Sequence, residues 1–167
     1  LLTGISNAQV QFKIFNYDAA NFSVMFPANP ESSSDITPSD YGNISSLMYS
    51  VDKDDVSYIV SVITYPKKLM DETPAKDLLD YVLESSVESI DGGKLVSFNE
   101  FNMGKHPALA FKITGNGASE SLVLEGNYIM ASNTLYQVFV VYDLNSKSEF
   151  AFKDNRLKFL NSFKILK

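Results

Sequence analysis

The sequence contains no cysteine and no tryptophan, and it has one histidine, His106, among its 167 residues. Without thiols the chain forms neither a disulfide framework nor a thiolate zinc site, and it has no cysteine nucleophile. A single histidine leaves carboxylates as the main groups for general acid–base catalysis. His106 lies in Gly104-Lys105-His106-Pro107, which is typical of an exposed turn. We therefore expect no catalytic residues, no metal site and no cofactor.

Positive charge is also scarce, because 20 acidic residues face 14 basic ones and the net charge is −6. An acidic domain repels phosphate backbones and anionic lipid surfaces, so nucleic acid is not an expected partner. No stretch of the sequence approaches the ~20 apolar residues that a membrane span requires. We expect a chain without a membrane span.

The N-terminal residues indicate export. An apolar start at Leu1-Leu2 is followed by small residues that end at Ala8, which is typical of the end of a signal peptide cut before Gln9. We therefore expect residues 1–8 to be a signal-peptide remnant and residues 9–167 to be a single domain. The expected location is periplasmic or secreted, in a bacterium.

Two segments read as strands that are apolar on both faces, namely Val56–Tyr65 and Leu135–Tyr142. A strand of this kind is covered on both sides, which predicts helices above and below the sheet. Further strands are predicted at Val10–Phe15, Phe22–Phe26, Ile44–Val51, Leu95–Asn102, Ala108–Thr114 and Ser121–Met130, with a short edge strand in Ser162–Leu166. Glu31–Ser39, rich in Ser, Asp and Pro, reads as a surface loop.

Two helices provide the cover. The first is predicted from Pro74 to Ile90, capped by Thr73, and the second from Ser148 to Asn161. Their predicted apolar sides are Leu79, Val82, Leu83, Val87 and Ile90 in the first helix, and Phe150, Leu157 and Leu160 in the second. The order of strands, helix, strands, helix predicts an α+β fold, a three-layer α/β/α sandwich around a central antiparallel sheet.

Three stretches resemble the PsbP-like superfamily, which includes the PsbP subunit of photosystem II, Ran-binding Mog-type proteins and bacterial DcrB-type exported proteins. Phe22-Ser23-Val24-Met25-Phe26-Pro27 is similar to the family's opening strand, and the segment from Gly104 to Phe111 to its mid-chain strand. Tyr128-Ile129 followed by Leu135–Val140, with Phe159–Phe163 near the end, is similar to the family's closing hairpin and helix. The resemblance implies the same sandwich and a domain that binds partner proteins without catalysis.

The candidate interaction surface is the loop that carries Pro27, Pro30 and Tyr41, because loops on a rigid scaffold often carry function. Asp52, Asp54 and Asp55 form a second candidate, since clustered carboxylates suit Ca²⁺. The alternative for these aspartates is a solvated hairpin turn that protects the sheet from edge-to-edge pairing.

Three functions remain open at this point. We favour a non-catalytic protein-interaction or accessory domain of the bacterial envelope, with a protein partner. The alternative is a small-molecule-binding domain with a pocket between helix and sheet. A carboxylate-based enzyme is the third, and the composition argues against it.

Overall fold

The computed structural model describes residues 10–117, 121–144 and 152–167. In chain order the elements are β1 (Lys13–Tyr17), a 3-10 turn (Asp18–Ala20), β2 (Phe22–Phe26), β3 (Glu31–Ser39), β4 (Gly42–Lys53), β5 (Val56–Thr64), α1 (Lys67–Glu72), α2 (Ala75–Glu88), β6 (Lys94–Met103), β7 (His106–Gly115), β8 (Leu122–Ala131), β9 (Thr134–Asp143), α3 (Lys153–Ser162) and β10 (Lys164–Ile165).

A seven-stranded antiparallel sheet with the order β3-β4-β5-β9-β8-β7-β6 forms the middle of the protein. Strands β5 and β9 pair near its centre, from Val56 opposite Tyr142 to Thr64 opposite Thr134. These are the two strands whose sequence is apolar on both faces, and both faces are covered. A second, three-stranded sheet has β2 between β1 and β10.

Helix α2 covers one face of the large sheet, which we call the α2 face. The helix buries Leu78, Leu79 and Leu83 in one apolar cluster with side chains of the sheet. The sheet residues in this cluster are Leu109, Phe111, Ile113, Tyr128, Met130 and Leu135. They belong to β7, β8 and β9, so α2 covers the middle of the sheet and leaves its β6 edge open.

The opposite face, which we call the α3 face, is covered by α3 and the small sheet together. Phe159 and Leu160 of α3 and Phe22, Val24 and Phe26 of β2 pack in one cluster with β5 and β9. The cluster contains stacked and edge-on aromatic pairs, such as Phe22 with Phe163 at 5.5 Å between ring centroids. The two covered faces confirm the predicted three-layer α/β/α sandwich, with the small sheet sharing the third layer.

The prediction of a surface loop at Glu31–Ser39 is wrong, because this segment is strand β3. Every residue of β3 is exposed, yet it pairs in register with β4 from Glu31 opposite Ser50 to Ser39 opposite Gly42. Its polar composition gives no apolar alternation that would predict a strand, and the strand forms by backbone pairing with β4. Pro38 is tolerated because β3 is an edge strand.

Both predicted helices exist in the described residues, with corrected details. Thr73 does not cap α2, because the helix begins after Pro74 and no side chain caps it. The buried side of α3 consists of Arg156, Phe159 and Leu160, whereas Leu157 is exposed. Phe150 and the predicted start of this helix at Ser148 lie outside the described residues, as do residues 1–8. Helix α1 was not predicted.

Candidate functional site

The three predicted interaction residues are separated in space. Pro27 is buried, Pro30 is half-buried before β3, and Tyr41 is exposed in the turn after β3. At about 3.3 Å per residue, the nine residues of β3 place Tyr41 roughly 30 Å from Pro30. These residues therefore do not form one surface, and a role for any of them in binding stays a prediction.

Tyr41 contacts helix α1. The ammonium group of Lys68 lies 5.7 Å from the centroid of the Tyr41 ring. A hydrogen bond to Glu72 and the charge of that carboxylate raise the pKa of the Tyr41 hydroxyl. The turn between β3 and β4 is thus attached to the rest of the fold through α1, a contact that accounts for Tyr41 without a ligand.

The aspartates of the β4–β5 hairpin serve the turn. Asp54 and Asp55 both have positive φ angles, 54° and 60°, as the central pair of a type I′ turn requires. Asp52 accepts a hydrogen bond from the hydroxyl of Ser57 at 2.5 Å. Among the described residues, no group of three or more His, Cys, Asp or Glu side chains is placed to hold a metal ion.

His106 is the first residue of β7 and is half-buried, opposite Met103 across the β6–β7 hairpin. The turn itself consists of Gly104 and Lys105, with Gly104 at a φ of 62°. The expectation of an exposed turn histidine is therefore wrong, because His106 is a strand residue that directly follows the turn.

The α2 face has a groove between α2 and β6, which we call the α2–β6 groove. It has a volume of about 740 Å³ and is lined by Lys76, Asp80, Leu83, Glu84, Val87, Glu88, Leu95, Phe98 and Glu100. The first six belong to α2 and the last three to β6. The groove therefore lies where α2 leaves the edge of the sheet uncovered.

The apolar side chains of the groove come from both elements. Leu83 and Val87 are one helical turn apart on α2, and Leu95 and Phe98 face them from β6. Phe98 is directly opposite Phe111 across the strand pair. Phe111 lies under α2 and is 4% exposed, whereas Phe98 is 57% exposed. An exposed aromatic ring next to a buried one marks the point where the helical cover ends.

A β-bulge places Leu95 and Phe98 on the same face. The pairing passes from Leu95 opposite Ile113 directly to Ser97 opposite Lys112, so Val96 is an extra residue in β6. In a regular strand, residues three positions apart point to opposite faces. The strict alternation that sequence reasoning assumes would have separated this pair, which is why the groove was not predicted.

Acidic side chains line the α2 side of the groove. Asp80, Glu84 and Glu88 follow one another at intervals of four residues, so they form one row along α2. Lys76 contacts Asp80 at 3.6 Å and also pairs with Glu100 of β6. The hydrogen bond to Glu100 and the nearby carboxylates raise the pKa of Lys76. In the part of the chain that the structure describes, Glu84 and Glu88 have no ion-pair partner.

A second cavity lies under α3, on the opposite face. It has a volume of about 280 Å³ and is lined by Lys112, Glu125, Tyr142, Lys153, Arg156, Leu157 and Leu160. The guanidinium of Arg156 lies 4.0 Å from the centroid of the Tyr142 ring, and the Tyr142 hydroxyl donates a hydrogen bond to Glu125 at 3.1 Å. Three cations and one carboxylate make this cavity locally positive in an acidic protein.

The architecture defines a class of protein, the antiparallel α/β/α sandwich with a small second sheet. Among solved structures the chain is similar to cyanobacterial PsbP (CyanoP) from Synechocystis sp. PCC 6803, with a TM-score of 0.58 and 10% identity over 96% of this chain and 95% of that one. It is also similar to the Ran-binding protein Mog1p from Saccharomyces cerevisiae, with a TM-score of 0.52 and 11% identity over 95% and 97%. The chain therefore has the PsbP-like fold, and the resemblance seen in the sequence is confirmed at the level of the fold.

No family model matches the sequence, and no curated protein matches it at a significant level. Among the described residues, no helix has the length and apolar character to cross a bilayer. Identities of 10% and 11% show the fold alone, so the function has to be argued from the residues of this chain.

Proposed function

We propose that the protein is a non-catalytic interaction domain that binds a partner protein in the α2–β6 groove. The observation that carries the proposal is the exposure of Phe98 beside its buried cross-strand partner Phe111. Large apolar side chains gathered at one exposed site are typical of interaction surfaces. The groove also has an acidic rim, and charged rims steer partners and select among them.

Site-specific photo-crosslinking tests this proposal. A photoreactive phenylalanine analogue replaces Phe98 in one variant and Tyr81 in a control, and both variants are irradiated in cells of the source organism. Tyr81 is on the same helix as the acidic row but is 67% exposed and does not line the groove. We expect a discrete crosslinked band from position 98 alone. Equal or absent crosslinking at the two positions would contradict the proposal.

We propose further that the domain is an accessory component of the bacterial envelope, periplasmic or secreted. The support is the apolar start and the small residues that end at Ala8. Export predicts that the mature protein begins at Gln9 and fractionates outside the cytoplasm. N-terminal sequencing of protein from the source cells tests both points, and a chain that retains residues 1–8 in the cytoplasm would refute the proposal.

The second candidate function is binding of a small anionic molecule in the cavity under α3. Lys112 and Lys153 line that cavity beside the buried Arg156, and this charge favours an anion. Thermal shift measurements with a panel of dicarboxylates and organic phosphates test the idea. We expect any stabilisation to be lost in Lys112→Gln and retained in Lys105→Gln, because Lys105 is exposed in the β6–β7 turn. A panel without effect would remove this candidate.

A further inference from the structure

We propose that the α2–β6 groove receives an amphipathic helix of the partner protein, with basic side chains directed at α2 and apolar ones at Phe98. This inference rests on the proposed function and names the chemistry of its partner. Three properties of the groove support it: its position beside α2, the shape of the β6 edge, and the spacing of its carboxylates.

The position of the groove suits a second helix. Helix α2 packs on β7 and β8, and neighbouring strands are about 4.8 Å apart. Packed helices lie about 8–10 Å apart axis to axis. A helix placed beside α2 on this face would therefore lie above β6 and cover Leu95 and Phe98. It would continue the helical layer over the part of the sheet that α2 leaves open.

The edge of β6 is less suited to an added strand. A strand that paired with β6 would lie in the plane of the sheet, beside the groove and not in it. The bulge at Val96 also interrupts the regular spacing of backbone donors and acceptors along the edge. Strand addition would leave the half-buried Val87 of α2 uncovered, whereas a helix would contact it.

The charge of the groove defines the partner's polar side chains. Lys76 already pairs with Asp80 and Glu100 at one end of the groove. Glu84 and Glu88, further along, are one helical turn apart, or about 6 Å of rise. Basic residues at positions i and i+4 of a partner helix have the same spacing. A second copy of this chain is disfavoured as the occupant, because each copy has a net charge of −6.

Three synthetic peptides of 14 residues serve as probes. One contains Leu and Lys in a helical repeat, the second has the same composition in strict alternation, and the third replaces Lys by Glu in the helical repeat. Fluorescence anisotropy measures their binding to the whole protein at about 0.1 M salt. We expect the basic helical peptide to bind at least tenfold more tightly than either of the others.

Variants then locate the binding. Glu84→Gln with Glu88→Gln should weaken binding of the basic helical peptide about tenfold, and Phe98→Ser should do the same. The matched control is Glu31→Gln with Asp35→Asn, which removes two charges from β3 at the other edge of the sheet and should change affinity less than twofold. Circular dichroism confirms that each variant is folded.

The outcomes separate this inference from the proposed function. Tighter binding of the alternating peptide, equal binding of the acidic peptide, or equal weakening by the β3 control would each overturn the helix proposal. If no peptide binds while position 98 still crosslinks to a partner, the proposed function stands and the basic helix is wrong. If neither binding nor crosslinking occurs, both fail.

Discussion

Phe98 and Phe111 are partners across β6 and β7 on the same face of the sheet, but α2 covers only Phe111. This difference marks the limit of the helical layer. The same residue type therefore has different roles at two paired positions, since Phe111 lies in the core and Phe98 at the surface. The difference should be visible in stability measurements.

Phe111→Ala should lower the free energy of unfolding by about 3–5 kcal/mol, because it leaves a cavity under α2. Phe98→Ala should lower it by about 1 kcal/mol or less, since more than half of the side chain is in water. Urea denaturation of both variants measures the two values. Losses of similar size would mean that Phe98 belongs to the core and would remove the main support for the groove.

Leu79→Ala should cost about 2–5 kcal/mol, because Leu79 is buried against the sheet in the α2 cluster. The control on the same helix is Tyr81→Ala, which should change stability by about 0.5 kcal/mol or less because its side chain is exposed. Thermal unfolding checks both. A melting temperature unchanged by Leu79→Ala would be inconsistent with the packing of α2 described above.

The protein should lose stability above pH 10. Burial raises the pKa of Tyr58 and of Tyr128 to about 12, from 10 in an unfolded chain. Between these values the folded state keeps protons that the unfolded state releases, so stability falls as pH rises. Each of these tyrosines contributes about 1.4 kcal/mol per pH unit to this loss. Below pH 10 both the folded and the unfolded state keep these protons, so this loss of stability does not occur.

Circular dichroism at increasing pH, with absorbance at 295 nm, tests this dependence. Tyr58→Phe should move the alkaline unfolding midpoint to higher pH, and the exposed control Tyr81→Phe should leave it in place. Ionisation of all nine tyrosines near pH 10 in a chain that remains folded would contradict the prediction.

Arg156→Lys should destabilise the protein by about 1–3 kcal/mol. The planar guanidinium stacks on Tyr142 and is buried, whereas an ammonium is more strongly hydrated and does not stack in this way. Lys105→Arg is the control, because Lys105 is exposed in the β6–β7 turn. The experiment is thermal unfolding of both variants, and equal melting temperatures would show that the Arg156 stacking contributes little.

Asp55→Gly should raise stability by about 0.5–1 kcal/mol, because its φ of 60° favours glycine. Asp40→Gly, in the turn between β3 and β4, should give no gain, since Asp40 does not have a positive φ. Urea denaturation measures both. A stabilised Asp40→Gly together with a destabilised Asp55→Gly would refute the turn assignment.

Much of the fold follows from local patterns. The double apolar character of β5 and β9 predicts cover on both faces, and the leucines of α2 predict its buried side. These signals depend on residues close together in the chain. Strand β3 was missed because it is wholly exposed and polar, so it has no apolar alternation to predict a strand, and its pairing with β4 is made by backbone groups. The burial of Arg156 in α3 was not predicted, because a charged residue is rarely buried unless it is paired. Its partner is the Tyr142 ring, which lies on β9.

The candidate site depended on tertiary structure. Leu95 and Phe98 share a face only because Val96 is a bulge, and they are exposed only because α2 lies over β7 and β8. The sequence alone determined most of the strands and the two longer helices, and that the sheet is covered on both sides, since periodicity acts within each segment; the polar strand β3 and the short helix α1 gave no such signal. Where each helix lies across the sheet, and hence which edge stays open, depends on packing between distant segments, and only the folded structure decides it.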